Sequence, residues 1–140
     1  MKTSISLLSV LLSLICSLTV FAAPSAGHEG MVASAHPMAT QAGVEILRQG
    51  GNAADAAAAV AFVLAVVEPY SSGIGGGGFA LLKHKNDIRF LDFREVAPKS
   101  SSRDMYIRNG KADTTLSRDG VLSVAVPGAV AGYLELQEKY

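Results

Sequence analysis

The sequence predicts an α+β chain. Three observations carry that expectation: two helix-period segments separated by Gly50-Gly51, an alternating pair of strands around a polar turn at Lys85-Asn86-Asp87, and a strand-then-helix pattern after Val121. Apolar residues make up 49% of the 140 residues and charged ones 17%, enough apolar content for a packed core and too much for a disordered chain. Twelve Lys+Arg balance twelve Asp+Glu, so no electrostatic case exists for a nucleic-acid partner or an acidic membrane surface.

Residues 1–22 read as a secretory signal peptide. Lys2 precedes an apolar run through Leu7, Leu8, Val10, Leu11, Leu12, Leu14 and Ile15, and Val20-Phe21-Ala22 supplies a cleavage site, with Ala23 and Ala26 as close competitors. The rival is a membrane anchor, but Ser4, Ser6, Ser9, Ser13, Ser17 and Thr19 thin a run already near the lower limit for a span. No stable membrane span is therefore expected, and the chain is expected to be exported to the periplasm or the extracellular space. The single cysteine, Cys16, leaves with the signal, which excludes a disulfide scaffold, a cysteine nucleophile and a thiolate metal site in the mature part.

Residues 23–30, with Pro24 and several small residues, read as a flexible lead-in. Met31 to Ala35 is expected as a short buried strand. Pro37 suits a first helical position, and Met38, Ala42, Val44, Ile46 and Leu47 follow at helical spacing until Gly50-Gly51 stops the helix. Asn52 is a good N-cap and Asp55 favours the first turn of a second helix, Ala53 to Val67, which carries no polar face beyond Asp55 and is expected to be buried all round. It is shorter than the ~20 residues that cross a bilayer, and Glu68-Pro69 closes it.

After Ser72-Gly73-Ile74 and four consecutive glycines, the chain predicts a hairpin with arms ending at His84 and running from Ile88 to Phe93. Pro98 to Ser102 reads as loop, Arg103 to Ser117 as polar surface, and Val121 to Val126 as a strand. Pro127-Gly128 opens a last helix with Val130, Leu134 and Leu136 on its apolar side. No fixed period marks a repeat architecture.

Few residues single themselves out for chemistry. Gly73, Gly75 and Gly78 match G-x-G-x-x-G, but a dinucleotide turn needs a strand before it and a helix after it, and here the order is reversed. A close backbone approach is the better reading of these glycines, with its structural and ligand versions both open. Arg94 projects from the end of a strand, a good place to grip a carboxylate through paired charge-assisted hydrogen bonds. From spacing alone, a surface salt bridge with Asp92 or Glu95 is the stronger reading. His36 and His84 lack a second ligand at metal spacing, so no metal site is expected. Ser71-Ser72 and Ser100 to Ser102 suit turns. Thr114-Thr115 is tempting, because a threonine freed at a chain terminus can use its own amine as base, but nothing there marks a cleavage point.

The longer motifs carry a resemblance. From Met31 to Tyr140 the chain resembles the N-terminal part of the large subunit of gamma-glutamyltranspeptidase, also called glutathione hydrolase. The stretches are GMVASAHPMATQAGVEILRQGGNAADAAAAVAFVLAVVEP from Gly30, SGIGGGGFALL from Ser72, LDFREVAP from Leu91, RDMY from Arg103 and SVAVPGAVAGY from Ser123, in the family's order. The resemblance implies an N-terminal nucleophile hydrolase, an αββα sandwich that this chain would hold only in part, made as a precursor that cuts itself into two subunits. It implies that a threonine at the start of the small subunit attacks the gamma-glutamyl amide of a donor such as glutathione, and that water, an amino acid or a peptide then accepts the acyl group. No cofactor is implied. Arg94 matches the family arginine that grips the α-carboxylate of the gamma-glutamyl group, and the glycine run matches a segment expected to pack near the site.

The family's nucleophile and oxyanion donors belong mainly to the later part of the precursor. Thr114-Thr115 is too early and is followed by Leu116 where the family site has histidine. The chain is thus expected to be a fragment with no catalytic residue of its own, inactive alone and partnered by the small subunit. The alternative is a non-catalytic exported remnant or binding module.

Overall fold

The computed structural model describes residues 27–140. The expected signal peptide and residues 23–26 of the lead-in lie outside the described residues. Met31 to Ala35, expected as a strand, is extended but pairs with no strand among the described residues. Its side chains alternate between exposed and half-buried, with Val32 against the first helix and Ser34 hydrogen-bonded to Thr40 Oγ1 at 2.8 Å.

That helix, α1 (Pro37–Arg48), starts where Pro37 removes an N–H that would have had no partner, and the imidazole of His36 caps it by accepting from Met38 N at 3.2 Å. It ends in a Schellman motif. Gly50, at φ 91°, donates to Leu47 O and Gly51 donates to Ile46 O, so two otherwise orphaned carbonyls are satisfied by a residue that tolerates left-handed backbone. Ala39 and Gly43, four apart, form its buried stripe.

Helix α2 (Ala53–Val67) begins with a reciprocal capping box between Asn52 and Asp55. The all-round burial expected for it is not what the described residues provide. Ala54, Ala56 and Ala58 are buried, whereas Val66 is 78% exposed and Phe62 is partly exposed. Among the described residues α1 and the last helix pack along its length, and Ala53, Ala56, Ala57, Val60, Ala61 and Leu64 join Val32 and Leu47 in an apolar groove. A short turn of helix, α3 (Pro69–Ser72), follows, with Pro69 at its first position.

Strands β1 (Phe79–His84) and β2 (Asp87–Asp92) form the expected antiparallel hairpin, with a turn tightened to Lys85-Asn86 and Lys85 at φ 55°. The ladder continues one step further: Phe93 N donates to Gly78 O at 3.0 Å. The polar surface after Arg103 holds a second, miniature hairpin, β3 (Ile107–Arg108) and β4 (Lys111–Ala112), around Asn109-Gly110, both at positive φ. The strand expected over Val121 to Val126 is absent. Ser123 folds back on Gly120, whose carbonyl accepts from its N–H and its hydroxyl, making a 3₁₀ turn at Val121–Ser123; only Val126 pairs, through one antiparallel bridge to Val96.

The last helix, α4 (Ala129–Lys139), packs antiparallel to α2. Asn52 Nδ2 donates to Tyr140 O, Gln137 reaches Asp55, and Tyr133 meets Phe62 edge-on at 5.3 Å. Its inward face is Ala129, Gly132 and Leu136; Val130 and Leu134, expected to be inward, are partly exposed. Small residues are inward because this face lies against a phenylalanine ring and a backbone.

Candidate functional site

Phe93, Arg94 and Glu95 leave β2 through a channel with glycine on either side. On one side, a side chain at Gly77 would come within 2.5 Å of Phe93 O and 2.8 Å of Glu95 N. On the other, a side chain at Gly128 would strike Phe93 O, and one at Gly132 would strike the Phe93 ring. The two flanks are also tied to each other. Gly76 O accepts from the N–H groups of Gly128 and Ala129, both at 3.0 Å, and so caps a helix start that has no side-chain cap. Tyr133 closes the assembly by meeting the Phe93 ring edge-on at 5.6 Å.

Arg94 emerges from this fixed backbone with its side chain 60% exposed. Its N–H donates to Asp92 Oδ1 at 2.9 Å, and its Nε donates to Glu95 Oε2 at 3.0 Å. The guanidinium carbon lies 5.6 Å from the centre of the Phe79 ring. Glu95 keeps its charge: a hydrogen bond from its own backbone N–H and, next, the Arg94 hydrogen bond hold its carboxyl below the usual glutamate range. Of the two salt bridges foreseen for Arg94, the one to Glu95 forms, while Asp92 takes the backbone N–H instead. Glu95 uses only the Nε edge. Among the described residues the terminal nitrogens donate to nothing, so the two-pronged end that suits a carboxylate is available. It borders a shallow concavity with Gly75, Ser123, Val124 and Ala125.

The other candidates resolve into structural roles. His36 is a helix cap, and His84 sits exposed at the end of β1. Ser71 Oγ donates to Glu68 at 2.8 Å. Thr115 donates its N–H and its hydroxyl to Asp113, whose carboxyl they hold below the usual range, so the threonine pair is part of a surface turn. The glycine run leads into β1 with no helix start behind it, which removes the dinucleotide geometry. No group of three metal-ligating side chains comes together among the described residues, and none of their helices is long and apolar enough to cross a membrane. Sequence reasoning missed Phe79, whose ring faces Arg94, and the Gly128/Gly132 flank; the four-residue spacing of those two glycines at a helix start was the available signal.

The family model described as gamma-glutamyltranspeptidase matches residues 39–140. The glutathione hydrolase proenzyme of Escherichia coli strain K12 is 45% identical over 119 residues, covering 84% of this chain and 20% of that protein. The gamma-glutamyltranspeptidase structure from Helicobacter pylori superposes with a TM-score of 0.78 at 42% identity, over 84% of this chain and 34% of that one. The Pseudomonas nitroreducens gamma-glutamyltranspeptidase structure, complexed with L-DON, gives 0.75 at 40% identity, over 82% and 35%. This chain spans about a fifth of the length of the curated relatives it matches. By family model, sequence identity and the mixed helix-and-strand arrangement that it shares with those N-terminal nucleophile hydrolase structures, the chain belongs to the gamma-glutamyltranspeptidase family.

Proposed function

We propose that this chain contributes the N-terminal, large-subunit part of an exported gamma-glutamyltranspeptidase that hydrolyses glutathione and transfers its gamma-glutamyl group to water, amino acids or peptides. In this reading residues 1–22 direct export, residues 23–30 are a lead-in, and residues 31–140 form part of the large subunit. The relatives' description as glutathione hydrolase proenzymes supports both the reaction and a small subunit cut from the same precursor. The acyl-enzyme forms on the small subunit's leading threonine, which lies outside these 140 residues. Its amine takes the hydroxyl proton as the oxygen adds to the gamma-amide carbonyl; the amide nitrogen leaves with a proton, and the acceptor reverses the sequence.

The work of this chain is to hold the donor. Arg94 carries that role, and the single observation behind it is the arginine fork left open beside a concavity while Glu95 and the strand end fix the rest of the residue. A gamma-glutamyl α-carboxylate would accept two parallel hydrogen bonds from the terminal nitrogens, each charge-assisted. Such a grip acts on the ground state and the transition state alike, so its loss should appear in KM more than in kcat.

Arg94→Ala in the full-length precursor is expected to raise the donor KM about 10- to 100-fold, the cost of a hydrogen-bonded charge pair, while cleavage into subunits proceeds. Arg94→Lys should recover little, because a lysine cannot offer the planar fork. An unchanged donor KM in Arg94→Ala would sink the assignment.

A further inference from the structure

Arg94 is held at its backbone by Asp92 and at Nε by Glu95, and a surface beneath the guanidinium would steady its plane further. The Phe79 ring is such a surface. Its centre is 5.6 Å from Arg94 Cζ, inside the ~6 Å over which a guanidinium is attracted to an aromatic face. The ring is itself held: it stacks on Phe90 with centroids 5.3 Å apart and planes 28° apart, a diagonal pair on one face of the β1–β2 hairpin. Phe79 sits one residue beyond the last glycine, Gly78, whose paired hydrogen bonds with Phe93 lock the start of β1 to the strand end that carries Arg94. The ring and the arginine are thus placed by the same ladder.

We infer that Phe79 is a positioning residue for donor binding: stacked on Phe90, its ring supports one face of the Arg94 guanidinium and aims the free fork at the donor carboxylate. This rests on the reading of Arg94 as the carboxylate grip. Phe79 touches Arg94 and acts on the donor only through it, so its removal should matter only while Arg94 is present.

The test is a double-mutant cycle in the full-length precursor, with donor KM and kcat measured separately after cleavage into subunits. Phe79→Leu keeps apolar volume but loses the π face. It should raise the donor KM about three- to fivefold, the size of an exposed cation–π contact, with kcat changed by less than about twofold. Phe79→Tyr should restore KM, because it keeps the ring. In an Arg94→Ala background, Phe79→Leu should add nothing. Equal effects of Phe79→Leu with and without Arg94, or a normal KM in Phe79→Leu, would overturn the inference while leaving Arg94 in place as the grip. Loss of processed enzyme in both Phe79→Leu and Phe79→Tyr would mark the ring as core packing and overturn it too. A normal KM in Arg94→Ala alone would instead bring down the grip, and Phe79's role with it.

Discussion

Two close approaches divide the described chain. Where α1 meets α2, a side chain at Gly43 would face Val60 Cγ2 at 2.7 Å and Val32 Cγ1 at 2.9 Å. Where the glycine run meets Phe93 to Glu95, a side chain at Gly77 would face Phe93 O, Arg94 Cα and Glu95 N, all backbone. Both sites exclude a methyl group, but for different reasons. A valine can rotate or be replaced by something smaller; a carbonyl in a strand ladder cannot retreat without breaking the ladder. The candidate donor site stands on the second kind of contact, and an arginine that must present a fork in one direction requires that rigidity. The helix pair needs only to be packed.

The largest effect expected from this contrast is at the channel around Phe93. Gly128→Ala or Gly77→Ala in the full-length precursor should cost about 3 kcal/mol or more, since backbone must move on one flank or the other. Melting temperature and the yield of processed enzyme read this out, and any enzyme that survives should show a raised donor KM. Wild-type melting and KM in both variants would break the comparison, for it would mean that the strand end has slack.

A smaller effect is expected at the helix pair. Gly43→Ala should cost about 1–3 kcal/mol from overpacking, offset in part by the gain of alanine over glycine in a helix interior. The sharper test is rescue. Val60→Ala removes the nearest of the contacting methyls, so Gly43→Ala combined with Val60→Ala should melt above the sum of the two single changes. No side-chain truncation should rescue Gly77→Ala in that way. If the Gly43 defect also resists rescue, the two approaches are alike and the division is false.

The same contrast decides what the sequence alone made legible. Both ends of α1 and the start of α2 were readable, because Pro37, Gly50-Gly51, Asn52 and Asp55 act on backbone within a few residues of themselves. The β1–β2 hairpin was readable from its alternation and polar turn. What escaped was set from a distance or by a local signal left unweighed. Val121 to Val126 has strand composition, but Gly120 at φ 86° and the Ser123 hydroxyl turn it, and Asn109-Gly110 announced a hairpin inside what read as plain surface. The inward face of α4 is chosen by Phe93, far off in sequence, so Val130 and Leu134 were assigned inward on hydrophobicity alone. Arg94 was legible as an arginine at a strand end. Its reading as a donor grip came from the family resemblance, since spacing favoured the Glu95 salt bridge, which also forms.

The smallest expected effect concerns the cap that starts α2, where the helix pair is held by hydrogen bonds in place of packing. Asn52 Oδ1 accepts from Ala54 N at 2.6 Å and from Asp55 N at 3.2 Å, while Asp55 Oδ2 accepts from Asn52 N at 2.9 Å. Asn52→Ala leaves donors of the first turn to water and should cost about 1 kcal/mol, seen as a modest fall in melting temperature with donor KM unchanged. Asn52→Asp keeps the accepting oxygen and places negative charge at the positive end of the helix, but it cannot donate to Tyr140 O as Asn52 Nδ2 does at 2.9 Å. Full recovery in Asn52→Asp would assign the cost to the cap alone, and partial recovery would assign the remainder to the tie between α2 and α4. A raised donor KM in either variant would be the more consequential outcome, because it would show that a loss in the helix pair reaches Arg94 through α4, and that the two regions are one mechanical unit.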